Sequence, residues 1–92
     1  MKVTDIRIQV FKSPKTNLKA LSTVILDDSL VLKDLRIFSN EKGDFVGMPS
    51  VKGPNGDWHE VVTLINTELK NQINSYVLRA YHDELLRIKI ED

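Results

Sequence analysis

The chain has 92 residues and a formal net charge of zero, since 13 Lys and Arg balance 13 Asp and Glu. Its length predicts one domain, and its 41% hydrophobic and 28% charged residues are typical of a soluble globular protein. The absence of cysteine excludes disulfides and thiolate metal sites. The chain has no start like that of a signal peptide and no apolar run near the ~20 residues of a membrane span, so we expect a cytoplasmic protein with no membrane association.

The first part of the chain predicts two strands. Ile6, Ile8 and Val10 alternate with polar residues, which indicates a half-buried strand. Residues 13–17 are polar, include a proline and predict a turn. Residues 18–26 predict a second strand with small or apolar side chains at every even position. Its other face also carries Leu21 and Ile25, so both faces need cover.

The middle of the chain predicts two further strands joined by short turns. Asp27-Asp28-Ser29 is read as a turn, and residues 30–38 as a third strand. Leu30 and Leu32 have the opposite parity from Leu35 and Ile37, which predicts a bulge near Lys33. Residues 39–43 are expected to be a loop and Phe45 to Met48 a fourth strand. Short connections favour an antiparallel meander.

The last third of the chain predicts one helix. Residues 52–57 form a Gly/Pro/Asn loop, and Val61 to Ile65 are predicted as a short strand. Asn66 or Thr67 can cap a helix that runs to about Leu86. Its apolar face is expected to hold the residues that recur at three- and four-residue spacing: Leu69, Ile73, Tyr76, Val77 and Ala80. Residues 86–92 fit either a frayed helix or a terminal strand.

These elements predict an α+β fold in a single domain covering residues 1–92. An antiparallel meander of four to five strands, about residues 3–65, is followed by a C-terminal helix, about 67–86, and a short tail. In antiparallel sheets one face usually meets water, so the apolar residues on the second face, Leu21, Ile25 and Val31, predict cover by a partner subunit. We therefore expect a homodimer formed through the sheets.

No arrangement of residues indicates an enzyme. His59 and His82 lack a metal-ligand spacing, and no serine lies in a Gly-x-Ser-x-Gly turn. The glycines form no phosphate-binding loop before a helix, and Asp27-Asp28 fits a hairpin turn. We predict no catalytic residue, metal, cofactor or small-molecule substrate.

Aromatic residues offer a second kind of chemistry, because Trp58, Tyr76 and Tyr81 could each stack on a nucleic-acid base. Tyr76 lies on the apolar helix face, so we expect it to pack in the core or at an interface. Trp58 follows a turn, where partial exposure and burial are both open.

Several motifs, in this order and spacing, resemble one small bacterial family. They are Val3-Thr4-Asp5-Ile6-Arg7, Leu26-Asp27-Asp28, Lys33-Asp34-Leu35-Arg36, Phe45-Val46-Gly47-Met48-Pro49-Ser50 and Pro54-Asn55-Gly56-Asp57-Trp58. The resemblance, from about Val3 to His82, is to the septation regulator family, stage V sporulation protein G (SpoVG). It implies the same meander and helix, a homodimer, binding of DNA and in some members RNA, and bacterial regulation of septation, sporulation and other gene expression.

The resemblance also implies where nucleic acid would bind. The family's basic run at the helix start falls on Lys70-Asn71-Gln72, where one of two charges remains, and a second basic cluster falls on Val51-Lys52, again with one charge. Arg79, further along the helix, is a fifth candidate beside Lys70, Asn71, Gln72 and Lys52. Fewer cations mean fewer neutralised phosphates and weaker binding.

Two functional hypotheses follow. The first is a dimeric nucleic-acid-binding regulator, associated with the nucleoid if it binds DNA. The second is a dimeric protein-interaction module of the same fold with little nucleic-acid affinity. Residues 1–53 hold nine Lys and Arg against six Asp and Glu, whereas residues 54–92 hold four against seven. The basic excess of the first segment favours the first hypothesis only if its cations lie on the same surface as Lys70.

Overall fold

The structure, a computed structural model, describes residues 1–91 and the side chains of residues 1–89. Six strands precede one long helix. They are β1 (Val3–Val10), β2 (Leu18–Leu26), β3 (Leu30–Asn40), β4 (Gly43–Gly47), β5 (Ser50–Lys52), β6 (Trp58–Glu60) and α1 (Thr67–Glu91). The predicted α+β fold, an antiparallel sheet followed by a C-terminal helix, is confirmed.

The main sheet is an antiparallel meander in the order β1-β2-β3-β4, and β5 and β6 form a separate two-stranded hairpin. The predicted turn at Asp27 and Asp28 is present, with φ of 52° and 51°. Aspartate tolerates this left-handed region better than most residues. The turn is also tied to β1, because Lys2 N donates to Asp27 Oδ1 at 2.9 Å and Asp28 N donates to Thr4 Oγ1 at 2.9 Å.

The predicted bulge near Lys33 is also confirmed. Ser22 pairs with Leu35 and Val24 pairs with Leu32, so two residues of β3 lie opposite one residue of β2. Asp34 takes the left-handed conformation there, with φ of 64°. The extra residue reverses the side-chain parity of β3. Leu32 and Leu35 can therefore both be buried on the same face.

The helix covers one face of the sheet and completes the core. Ala20, Val24 and Leu26 of β2 and Leu35 and Ile37 of β3 are buried together with residues of α1 spaced by four positions: Ile73, Val77 and Tyr81. Tyr76 does not pack in the core of this chain, as one part of its prediction had it, since Tyr76 is 45% exposed whereas Tyr81 is 5% exposed. A four-residue spacing from Leu69 leads to position 81 and leaves position 76 on the helix flank.

Two predictions for the segments between β3 and the helix are corrected. The loop at 39–43 is a tight turn between Asn40 and Gly43, closed by Lys42 N donating to Asn40 Oδ1 at 2.8 Å. Residues 61–65 are irregular, so the strand predicted there is wrong. The main sheet ends at Gly47, because β5 and β6 pair only with each other. The alternation in residues 61–65 arises because Val62 and Leu64 pack against the core from a segment that joins no strand ladder.

The helix extends beyond the predicted end near Leu86 to Glu91, which decides the open question for residues 86–91 in favour of helix. Leu86, Ile88 and Ile90 alternate as in a strand, but the preceding helix simply continues through them. Asp92 lies outside the described residues. Within the described chain, no helix is both long enough and apolar enough to span a membrane.

Candidate nucleic-acid interface

The start of α1 presents one of the candidate cations to solvent. Leu69 N donates to Asn66 Oδ1 at 2.9 Å, which confirms Asn66 as the helix cap. Lys70 and Asn71 follow in the first turns, and both are exposed. The helix dipole places partial positive charge at this end, and the ammonium of Lys70 adds to it, although Glu68 in the first turn opposes it. The arrangement is suited to a phosphate contact.

Gln72 has a structural partner instead. Its side-chain Oε1 accepts a hydrogen bond from Val3 N at 3.1 Å, and the side chain is half-buried. This bond ties the helix start to the first residue of β1. Of the predicted run Lys70-Asn71-Gln72, two side chains therefore face solvent and the third holds the helix against the sheet.

Arg79 lies on the flank of the helix, away from the helix start. It lines a shallow groove against β1 together with Tyr76, Asp5 and Asp83. Two carboxylates in the same groove reduce the local positive potential. Arg79 is exposed, but its surroundings favour an anionic ligand less than those of Lys70.

Lys52 lies on the β5-β6 hairpin, opposite Trp58 in the strand register. Trp58 is 57% exposed, and the guanidinium carbon of Arg36 lies 4.2 Å from its ring centroid. A cation–π contact of this kind contributes about 0.5–1 kcal/mol at an exposed site. Trp58 is thus partly exposed, one of the two alternatives that its sequence position left open.

Arg36 is the residue that sequence reasoning missed. It lies on β3 opposite Leu21 of β2 and Gly47 of β4, on the face away from the helix. In the alternation of β3, Arg36 falls on the face opposite to that of the buried Leu35 and Ile37. This alternation was the only local pattern that could have indicated an exposed cation here. The contact of Arg36 with Trp58 could not be predicted, because the two residues are 22 positions apart in the chain. Tertiary packing sets the orientation of the hairpin that carries Trp58.

The five predicted residues therefore lie in three places. Lys70, Asn71 and Gln72 belong to the helix start, Arg79 belongs to the groove beside β1, and Lys52 belongs to the hairpin with Arg36 and Trp58. The structure of one chain brings Lys52 together with an aromatic side chain and a second cation.

A separate polar contact fixes the later part of the helix to β4. His82 Nε2 lies 2.7 Å from Asp44 Oδ2. Hydrogen bonding from Ser39 and the contact with His82 lower the pKa of Asp44 below its ordinary value of 3.8. Burial, with the nearby charge of Asp44, raises the pKa of Tyr81. Among the described side chains, no three His, Asp or Glu residues form a group that could hold a metal ion.

Comparison with known proteins gives one consistent result. The sequence profile of the SpoVG family matches residues 1–83, so the last turns of α1 lie beyond the matched region. A protein of Acholeplasma laidlawii named "Putative septation protein SpoVG" is 35% identical over 85 residues, which cover 92% of this chain and 89% of that protein.

Relatives from staphylococci carry the same name. The protein of Staphylococcus saprophyticus is 36% identical over 83 residues, covering 90% of this chain and 81% of its own length. That of Staphylococcus aureus is 34% identical, with 90% and 82% covered. With the meander, the capped helix and these matches over nearly the whole length, the chain belongs to the SpoVG family.

Proposed function

We propose that this protein is a non-catalytic, homodimeric regulator in the bacterial cytoplasm that binds DNA, and also RNA, to modulate gene expression and cell division. The names of its relatives refer to septation. The observation that carries the nucleic-acid proposal is the exposed Lys70 in the first turn of a long capped helix. The remaining support comes from the second face of the sheet.

Lys70 supplies a charge that is not engaged by the fold. A protein of zero net charge has no general attraction to nucleic acid, so binding depends on local cations. At the start of α1, a phosphate would meet both the Lys70 ammonium and the positive end of the helix dipole. Because few such cations are present, we expect dissociation constants near the ~10⁻⁴–10⁻⁶ M of non-specific binding at physiological salt.

The second face of the sheet supports the dimer. The helix lies over the even-numbered side chains of β2, whereas Leu21 and Ile25 point to the opposite face. Val31, paired with Ile25, is 47% exposed, and Phe45 stacks on Phe38 with ring centroids 5.1 Å apart. Pairing of two such faces would remove these apolar side chains from water. It would also present two copies of Lys70 and Lys52 to one ligand.

Protein interaction is the second candidate function, and specific observations favour it. Gln72 is engaged with β1, and Arg79 shares its groove with two carboxylates. If these positions contribute nothing to nucleic-acid binding, a dimer with zero net charge and few exposed cations would act chiefly on other proteins.

A titration of the full chain against labelled duplex DNA and RNA, followed by fluorescence anisotropy at two salt concentrations, separates the two candidates. The nucleic-acid proposal predicts micromolar binding that weakens as salt rises, because each phosphate contact contributes a slope of about −0.9 in log K against log salt. Absence of binding even at low salt would leave the protein-interaction module as the better account.

A further inference from the structure

The β5-β6 hairpin carries an aromatic side chain that the proposed helix contact does not use. Lys52 pairs with Trp58 and Ser50 pairs with Glu60, so these four residues share one face of the hairpin. Val51 and His59 pair on the opposite face. Trp58 is the single tryptophan of the chain, and it remains 57% exposed although Arg36 lies over its ring.

The hairpin holds this side chain in a defined position. Gly53 N donates to Asp57 O at 2.7 Å, and Gly56 N donates to Gly53 O at 3.0 Å. Gly56 has φ of 87°, where an L side chain would be strained. A Cβ at position 53 would lie 2.9 Å from His59 Nε2, so glycine leaves room for the His59 imidazole. The turn is therefore tight, and Arg36 braces the indole from the main sheet.

We propose that Trp58 is a stacking platform for an unpaired base of single-stranded DNA or RNA, with Arg36 bracing the ring and Lys52 near the adjacent phosphate. An aromatic ring exposed beside cations is the arrangement that single-strand binding proteins use. Directly paired residues have Cβ atoms about 4.5–5.5 Å apart, which places the flexible Lys52 side chain within reach of a phosphate beside the stacked base. This inference rests on the proposed nucleic-acid function and adds a preference for unpaired strands. It also requires that the proposed dimer leave Trp58 uncovered, because Arg36 lies on the sheet face that carries Leu21.

The charges around Trp58 imply that stacking, more than electrostatic attraction, drives binding at this site. Lys52 and Arg36 are accompanied by Asp57 and Glu60, which are exposed on the same hairpin. These carboxylates partly offset the attraction of the two cations for phosphate. Stacking of a base on the indole does not depend on this charge balance. Binding at the hairpin should depend less on salt than binding at Lys70.

Trp58 is also the natural reporter for the test. The full chain is titrated with oligo(dT), oligo(U) and a hairpin duplex, and the fluorescence of Trp58 is followed. We expect both single strands to quench it, since a stacked base lies against the indole, and the duplex, whose bases are already paired, to quench it little. Emission that is unchanged by the single strands would overturn the proposal.

Variants separate stacking from a structural role, with binding measured by anisotropy of the labelled oligonucleotide. Trp58→Ala should weaken single-strand binding about 5- to 150-fold, the range equivalent to ~1–3 kcal/mol per stacked base. Trp58→Leu keeps apolar volume but lacks a π face, so it should also weaken binding, whereas Trp58→Phe should stay close to wild type. Val51→Ala, on the opposite hairpin face, is the matched control and should have no effect.

The variants also distinguish failure of this inference from failure of the proposed function. If Trp58→Leu binds single strands as wild type does while Lys70→Ala weakens binding, the protein binds nucleic acid without the hairpin and the stacking proposal is wrong. If wild type binds none of the three probes, both proposals are wrong.

Discussion

The two tyrosines of α1 provide a matched pair for testing how the helix sits on the sheet. Both are on the same helix, five positions apart, yet Tyr81 is 5% exposed and Tyr76 is 45% exposed. Tyr81→Ala should therefore destabilise the protein far more than Tyr76→Ala. The same atoms are removed in both variants, so differences in intrinsic helix propensity cancel.

The expected magnitude follows from burial. An aromatic side chain buries about 150–250 Å², which at about 25 cal/mol per Å² corresponds to about 4–6 kcal/mol as an upper bound. Alanine retains part of this area, so Tyr81→Ala should cost about 3–5 kcal/mol in the free energy of unfolding. Tyr76→Ala should cost about 1 kcal/mol, since surface substitutions rarely exceed that.

The assay is urea denaturation followed by the helical circular dichroism signal. One fixed chain concentration is used, because the stability of the proposed dimer would depend on it. A shift in the midpoint at constant slope gives the change in stability. Equal losses for the two variants, or a larger loss for Tyr76→Ala, would show that the helix is rotated relative to the arrangement described and would refute the reasoning.

Three further predictions concern separate parts of the molecule. The lowered pKa of Asp44 means that its carboxylate stabilises the fold at pH above 3.8, and this contribution is lost as the pH falls through the folded-state pKa. In acid denaturation, the stability advantage of wild type over Asp44→Asn should therefore shrink below pH 3.8. An advantage that does not change with pH would show that the carboxylate is unimportant. Ile25→Glu, on the uncovered sheet face, should reduce the sedimentation mass to the 10.5 kDa of one chain, whereas a wild type that already sediments at this mass at micromolar concentration would disprove the dimer. Gln72→Ala should reduce stability by about 0.5–1.5 kcal/mol because its bond to β1 is removed, whereas the exposed Asn71→Ala should have little effect; equal effects would argue against the structural role of Gln72.

Much of the fold could be predicted because local patterns and packing agree. The parity change between Leu32 and Leu35 predicted the bulge, and the paired aspartates predicted the hairpin turn. A cap at Asn66 or Thr67 followed from their polar side chains, and the structure shows Asn66 in this role, accepting a hydrogen bond from Leu69 N. In each case a few neighbouring residues contain the cause.

The errors arose where a pattern has two physical origins. The alternation of apolar and polar residues from Val61 to Ile65 indicates which side chains pack against the core. An irregular segment without strand partners can have this pattern, just as a strand can. Tyr76 satisfied a helical spacing from Ile73, but the sheet selected the four-residue series that ends at Tyr81. Tertiary contacts decided both.

The candidate site was predictable in part for the same reason. Lys70 and Lys52 could be named from the resemblance, and both are exposed. The engagement of Gln72 with Val3 and the contact of Arg36 with Trp58 depend on positions far apart in the chain, so no local pattern contains them.

The central claim is that nucleic acid binds at the start of α1 through phosphate contacts. The most direct measurement is the salt dependence of binding for Lys70→Ala beside Lys15→Ala, which removes the same charge from the loop between β1 and β2 at the other end of β1. We predict that Lys70→Ala weakens binding similarly for all sequences and flattens the log K against log salt slope by about 0.9 for each phosphate that is no longer neutralised, whereas Lys15→Ala matches wild type. An affinity and slope unchanged in Lys70→Ala would contradict the account.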